Sequence, residues 1–198
     1  MRTEKLRAID GLQLPQEYRS LLRPAETETD VPGNIHRLPR FFCEIGSWQE
    51  AQETRLAAHF TLAELMLVDC REATLLLSQF PHYVPCAIVV LARFLEDFRR
   101  EVDAPVFISA NGGYRSPAHQ ISGAKSIHAW GTAANIYRVG DTFLTDGRSI
   151  EKYRAIAASL SPAVFVRPFG YEPGQTNDHL HIDLGFVRLT PRDCSEAS

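Results

Sequence analysis

The chain has no long apolar run and no long run of basic residues. Its opening residues, Met1-Arg-Thr-Glu-Lys5, are followed by no apolar stretch, so we expect neither a signal peptide nor a transmembrane segment. Lys and Arg number 21 against 24 Asp and Glu, which gives a net charge of −3. This balance makes nucleic acid and acidic membrane surfaces poor candidates for partners. We therefore expect a cytoplasmic protein with no membrane segment and no nucleic-acid partner.

The sequence also lacks a CxxC motif, internal repeats and low-complexity segments. The four cysteines, Cys43, Cys70, Cys86 and Cys194, are scattered along the chain. We interpret them as free thiols in a reducing compartment or as core residues, and a disulfide stays open without being indicated. What is present is a hydrophobic content of 44% over 198 residues. That content predicts a hydrophobic core, and the length fits one domain with some extra decoration.

Helical patterns come first in the chain. Thr61 and Glu64 have the spacing of a capping box, so a helix should begin there. The clearest helix is predicted at 85–102, because its apolar residues recur at three- and four-residue steps; they are Ile88, Leu91, Leu95, Phe98 and Val102. Further helices are predicted at 14–22, around 73–79 and at 149–159, the last capped by Ser149.

Strand-like segments follow at 105–109, 132–139, 163–169 and 179–189, with a glycine-rich loop at 111–125. Helices first and an antiparallel sheet later predict an α+β fold, in which a small antiparallel sheet is flanked by helices.

Residues 24–46 contain three prolines and no apolar periodicity, which predicts an extended arm or loop. We therefore divide the chain into an N-terminal extension, 1–57, and a main domain, 58–198. The extension either wraps the surface of the main domain or docks an assembly partner.

Residues suited to metal binding lie on the last predicted strand. His179, His181 and Asp183 alternate there and should share one face of the sheet, opposite a core-facing apolar side. A catalytic zinc site commonly has three protein ligands and an open position for water. His181 and His128 could be two of them, with Asp178 near enough to take a proton from water. Two histidines at this spacing also occur as a structural or surface pair.

Three motifs in order extend this pattern: Gly113-Tyr114-Arg115-Ser116, then Ser126-x-His128-x-x-Gly131-x-Ala133, then Asp178-His-x-His181. Together they resemble the zinc D-alanyl-D-alanine carboxypeptidase family (peptidase M15), whose fold is shared with the hedgehog signalling domain. The resemblance spans 60–189, about two-thirds of the chain. It implies a hedgehog/DD-peptidase-like fold and a Zn²⁺ cofactor.

Carried over by position, the resemblance implies specific roles. His128 and His181 bind the metal, Asp178 acts as general base, and Arg115 binds substrate and polarises its carbonyl. Four further candidate residues would line the substrate cleft: Tyr114, Ser122, Ser126 and Trp130. Two more, His179 and Asp183, would support the ligating histidines from outside. His119, in the same loop, is predicted to be an ordinary solvated histidine.

The third metal ligand of the family, an aspartate, falls on Asn135. Zn²⁺ with two neutral imidazoles and a carboxylate has net charge +1, whereas an amide leaves +2 and removes an ion-ion attraction. We expect zinc affinity to fall by at least the ~10–100-fold typical of changes around a metal site. Asp183 is the nearest candidate to replace the missing carboxylate.

Two functions follow from these residues. The first is a zinc-dependent carboxypeptidase or endopeptidase acting on D-amino-acid-containing peptides of the cell wall. The alternative is a non-hydrolytic relative that binds a peptide or small molecule in the cleft, performs other chemistry there, or is a structural part of a larger assembly. The cell-wall substrate lies outside the membrane. A second location for the protein is therefore a phage or phage-like particle, with which it would be released.

Overall fold

The computed structural model describes residues 6–30, 32–68, 83–121, 125–171 and 177–192. The helix predicted around 73–79 and the site residue Ser122 lie outside the described residues, as do Cys70 and Cys194. The described helices are α1 (Gln16–Leu22), α2 (Trp48–Glu53), α3 (Leu62–Met66), α4 (Ile88–Val102) and α5 (Gly147–Leu160). The strands are β1 (Arg7–Asp10), β2 (Thr27–Thr29), β3 (Ile35–Arg37), β4 (Phe41–Glu44), β5 (Tyr83–Pro85), β6 (Val106–Ile108), β7 (Ala133–Val139), β8 (Thr142–Phe143), β9 (Phe165–Val166) and β10 (Leu180–Asp183).

The main sheet has five antiparallel strands. Its order is β6-β7-β10-β9. The short strand β8 forms a hairpin with the end of β7, on the edge opposite β6, because Arg138 and Val139 pair with both β6 and β8. Two smaller antiparallel sheets, β1-β4-β5 and the hairpin β2-β3, are built from the first part of the chain and β5. The predicted α+β class with small antiparallel sheets is therefore confirmed. None of the described helices is long and apolar enough to cross a membrane.

The core lies on one side of the main sheet. α4 and α5 pack there against each other and against β7, β9 and β10. Ile88, Leu91, Leu95 and Phe98 of α4 are buried, as their spacing predicts. Burying apolar side chains of this size contributes ~1.5–3 kcal/mol each, so this helix-on-sheet contact anchors the strands that position the candidate site.

The segment predicted as an irregular arm contains the buried strand β4. Three consecutive residues, Phe41, Phe42 and Cys43, are buried because β4 is the central strand of its sheet and is covered on both faces. Phe41 and Cys43 belong to the main core, whereas Phe42 packs with Leu14 and Leu22. A strand covered on both faces shows no alternation of apolar and polar residues, so no periodic signal was present. The division of the chain at residue 57 stays a prediction.

Hydrogen bonds explain two of the element ends that differ from expectation. The cap of α5 is Asp146, whose side chain accepts the N–H of Ser149 at 2.8 Å, so the prediction of Ser149 as the cap was wrong. An aspartate is as good an N-cap as a serine, and here it precedes Ser149 in the chain. The last strand ends at Asp183 rather than 189, because the Gly185 N–H turns back to the Asp183 carboxylate. The capping box of Thr61 and Glu64 is confirmed.

Candidate active site

Pairing between β7 and β10 brings two candidate ligands together. Asn135 lies directly opposite His181 in the antiparallel register, and side chains opposite each other point to the same face of a sheet. Leu180 and Ile182, the residues on either side of His181 in the chain, are fully buried in the core. The alternation predicted for this strand therefore holds, and the polar residues occupy the face away from α4 and α5.

His128 reaches the site from a short 3-10 helix, Ile127–Trp130, that directly precedes β7. The side chain is 2% exposed, and its Nδ1–H donates to the Gly113 carbonyl at 2.8 Å. Among the described residues, Nε2 has no hydrogen-bond partner, and the ring lies 5.3 Å from that of His181. Burial, followed by the positive charge of Arg115, holds the pKa of His128 well below its usual range. A neutral imidazole with a free lone pair is the form that binds a metal.

Gly113 is held where only a glycine fits. A Cβ at this position would lie 2.1 Å from the Leu65 carbonyl oxygen, at the end of α3. The next residue, Tyr114, donates its backbone N–H to the same oxygen at 2.7 Å. This close packing fixes the Gly113 carbonyl that orients His128.

His181 is held between two partners. Nδ1 lies 2.8 Å from Asn135 Oδ1, and Nε2 lies 3.2 Å from Asp183 Oδ2. The other oxygen of Asp183 accepts the Gly185 N–H at 3.0 Å, so this carboxylate is itself fixed. With Nε2–H donating to Asp183, Nδ1 of a neutral ring is an acceptor, and the Asn135 amide can present its NH₂ to it after a rotation of χ2. Asp183 therefore contacts the His181 ring, and its role in supporting a metal ligand stays a prediction.

Arg115 is buried beside His128. Its backbone N–H donates to the His128 carbonyl at 3.3 Å, and its Nη2 lies 3.4 Å from Ser126 Oγ. Ser126 immediately precedes the 3-10 helix that carries His128. Three of the predicted residues are thus together, with one fixed positive charge among them.

Asp178 forms a separate contact on the rim. Its side chain is 63% exposed, and Oδ1 accepts the Nδ1–H of His179 at 2.7 Å. Nε2 of His179 in turn accepts from Arg167 Nη2 at 2.7 Å. Burial lowers the pKa of His179, which agrees with a neutral ring that donates at one nitrogen and accepts at the other. The role of Asp178 as general base stays a prediction.

Two of the predicted cleft residues are packed inside the protein. Trp130 is 1% exposed, and its indole N–H donates to the Arg37 carbonyl at 2.9 Å. Tyr114 is also buried within the main core. Both have packing roles in the described structure, and their contact with substrate stays a prediction.

His119 is not the solvated histidine that we expected. It is 2% exposed, its Nε2 lies 3.1 Å from Asn111 Oδ1, and Nδ1 accepts the Ile121 N–H at 3.2 Å. Histidine in a glycine-rich loop is usually solvated, but this ring closes the loop on itself. The contact holds together the loop that carries Arg115.

The two histidines are anchored as metal ligands usually are, but a third ligand of the usual type is missing among the described residues. Metal-binding histidines almost always donate their second N–H to a carbonyl or carboxylate, and here His128 does so to Gly113 while His181 faces Asp183. Among the described residues, however, no group of three His, Cys, Asp or Glu side chains could hold a metal ion. The available set is two imidazoles and the Asn135 amide.

Several functional contacts were not identified from the sequence. The Gly113 carbonyl, Arg167 and the Leu65 carbonyl each hold a predicted residue in place. Gly113 belongs to a predicted motif. That its backbone packs against Leu65, which leaves no room for a side chain, is visible only in the fold. Arg167 had no local signal at all, because its partner lies 12 residues further along the chain.

Comparison with family models, with curated proteins and with solved structures found no match for this chain.

Proposed function

We propose that this protein is a metal-dependent peptidase of the D-alanyl-D-alanine carboxypeptidase type, with a hedgehog/DD-peptidase-like fold and Zn²⁺ as cofactor. Its substrate would be a D-amino-acid-containing peptide of the cell wall. The metal ligands would be His128, His181 and Asn135. When bound, the metal would polarise the scissile carbonyl and acidify a water molecule.

The arrangement of the two imidazoles carries the proposal. One nitrogen of each ring lies next to an acceptor: His128 Nδ1 next to the Gly113 carbonyl, and His181 Nε2 next to the Asp183 carboxylate. The other nitrogen of each ring, His128 Nε2 and His181 Nδ1, is left to bind a metal. His181 Nδ1 lies 2.8 Å from the Asn135 amide oxygen. Histidines anchored in this way are typical of metal sites.

The remaining roles belong to side chains around this set. Arg115, buried and fixed against Ser126, would hold the carbonyl oxygen or terminal carboxylate of the substrate. Asp178 would receive the proton from the attacking water. His179 donates to its carboxylate, and Arg167 in turn donates to His179.

The test combines metal binding and turnover. Zinc titration followed by calorimetry should show one site in the natural chain, lost in His128→Ala and in His181→Ala. Asn135→Asp should bind zinc at least ~10-fold more tightly, because the carboxylate restores the missing negative charge. Arg115→Ala and Asp178→Asn should keep zinc and lose hydrolysis of a muropeptide that ends in D-Ala-D-Ala.

A matched control is His59→Ala. This imidazole is half exposed and pairs with Glu96, so its removal should leave both zinc binding and turnover unchanged. A natural chain without zinc, whose Asn135→Asp variant gains it, would contradict the peptidase proposal.

One contact favours a second candidate, a non-hydrolytic relative. The Asn135 amide lies 2.8 Å from His181 Nδ1. With its NH₂ group turned to that nitrogen it would satisfy Nδ1 without a metal, and an amide adds no charge to attract one. Such a protein would bind a peptide or small molecule in the cleft, or form part of a larger assembly through residues 1–57. Muropeptide affinity without turnover, in protein free of zinc, would favour it; stoichiometric zinc with turnover would exclude it.

A further inference from the structure

A cavity lies next to Phe186, whose ring contacts Trp130 of the 3-10 helix that carries His128. It has a volume of about 420 Å³ and is formed where three segments meet: the end of β3, the turn before α4, and the segment that follows β10. A volume of this size falls within the ~300–1,000 Å³ range of small-molecule sites. None of the candidate site residues lines it, so it is a separate feature.

The polar wall of this cavity, which we call the arginine pocket, is positively charged. Arg37, Arg40 and Arg188 line it, and no Asp or Glu is among the described residues of its lining. Arg40 is balanced by Asp10 at 2.7 Å. Within the described parts of the chain, Arg37 and Arg188 make no ion pair. The pocket therefore has a local charge of about +2, in a chain whose net charge is −3.

We propose that the arginine pocket binds a small phosphorylated molecule. Arg37 and Arg188 would hold the phosphate, and the apolar body would lie against Phe186 and Leu189 in the same cavity. A phosphate monoester carries ~−1.5 to −2 charge at pH 7 and matches two guanidinium groups, whereas a single carboxylate matches one. The planar guanidinium fork also binds phosphate oxygens in pairs.

The Thr190 hydroxyl and the first turn of α4 add to this wall. Thr190 supplies a hydrogen-bond donor, and Ala87, the N-cap of α4, lines the cavity without a side-chain cap. The partial positive charge of a helix N-terminus has the same sign as the arginines, although the arginines carry the inference.

The fluorescence of Trp130 can be used to follow binding in this pocket. Phe186 lines the cavity and lies edge-to-face with the Trp130 ring at 4.9 Å, and Arg37, also in the lining, accepts the indole N–H through its carbonyl. The chain has two tryptophans. A Trp48→Phe background therefore leaves Trp130 as the sole source of tryptophan fluorescence.

The experiment titrates the full-length Trp48→Phe protein with phenyl phosphate and, separately, with benzoate at the same ionic strength. We expect a saturable change in Trp130 fluorescence with phenyl phosphate, and binding of benzoate at least ~10-fold weaker because it carries about half the charge. Arg37→Ala and Arg188→Ala should each weaken phenyl phosphate binding ~5- to 10-fold. Calorimetry of the same titration detects binding that leaves the fluorescence unchanged.

The matched control is Arg93→Ala, which removes the same charge from an exposed position on α4 outside the pocket. It should weaken binding less than twofold. Three results would each overturn the proposal: no saturable signal by either method at millimolar ligand, benzoate binding as tightly as phenyl phosphate, or equal losses in Arg93→Ala and the pocket variants.

Discussion

The two faces of strand β10 differ although their residues alternate along the same four positions. Leu180 and Ile182 point into the core and are fully buried among apolar side chains. His181 and Asp183 point to the opposite face and contact each other and Asn135. One face is held by the removal of apolar surface from water, which has no direction. The other is held by hydrogen bonds, which need specific atoms at specific distances.

This difference separates stability from function. The core face tolerates any well-packed apolar side chain of similar volume, so it is expected to govern the free energy of unfolding. If the proposed metal site is present, the polar face governs metal binding, because it carries His181 and faces Asn135. Substitutions on the two faces should therefore fail in different assays.

The largest effect is expected on the core face. Ile182→Ala should lower the free energy of unfolding by ~2–5 kcal/mol, because it removes buried methyl groups and leaves a cavity. Urea denaturation followed by circular dichroism measures the change. Leu184→Ala is the matched control, since Leu184 is only partly buried and should lose ~1 kcal/mol. Equal losses in the two variants would remove the distinction between core and edge.

The support of His128 comes next. Gly113→Ala should lower the free energy of unfolding by ~1–3 kcal/mol, because the new methyl group would clash with the Leu65 backbone. Gly46→Ala is the control: there a Cβ would meet only the carboxylate end of Glu50, which can move, and a change within ~0.5 kcal/mol is expected. Unfolding curves of both variants, collected together, give the comparison. A Gly113→Ala protein as stable as the natural chain would show that the loop can shift freely.

A substitution on the polar face should spare stability. Asp183→Asn leaves one oxygen to serve both His181 and the Gly185 N–H. If the proposed metal site is present, zinc affinity should fall ~10–100-fold, measured by calorimetric titration. The free energy of unfolding without metal should change far less than in Ile182→Ala. Unchanged zinc affinity in a variant that still binds zinc would mean that Asp183 does not support His181.

The smallest effect is expected at the ion pair between Asp10 and Arg40, which lies outside both faces of β10. The hydrogen bond from Arg40 lowers the pKa of Asp10 below its ordinary value of 3.8. A lowered folded-state pKa contributes stability that is fully present above about pH 4 and is lost as the pH falls through the folded pKa. Asp10→Asn should therefore lower the free energy of unfolding by ~0.5–1 kcal/mol at pH 7, and the difference from the natural chain should shrink towards pH 2. Urea denaturation at several pH values tests this. A difference that persists at pH 2 would show that charge is not its cause.

Much of the architecture was predictable from local pattern. The apolar spacing along α4, the capping box before α3 and the alternation in β10 all appear in the structure. The strand β4 was not predictable in this way, because its consecutive buried residues show no period. The cap of α5 is not predictable either, because Asp146 and Ser149 are both good caps and the sequence alone does not choose between them.

The sequence by itself determined which residues are polar, which are apolar, and how they alternate along each element. It therefore determined that His181 and Asp183 share a face opposite the core. Only the tertiary structure decided which atoms meet: Gly113 with His128 across 15 residues, and Asn135 with His181 across 46. It alone also placed Arg37 and Arg188 around one cavity. Burial follows a local periodicity that one element can display, whereas a hydrogen bond or a pocket depends on how distant elements pack.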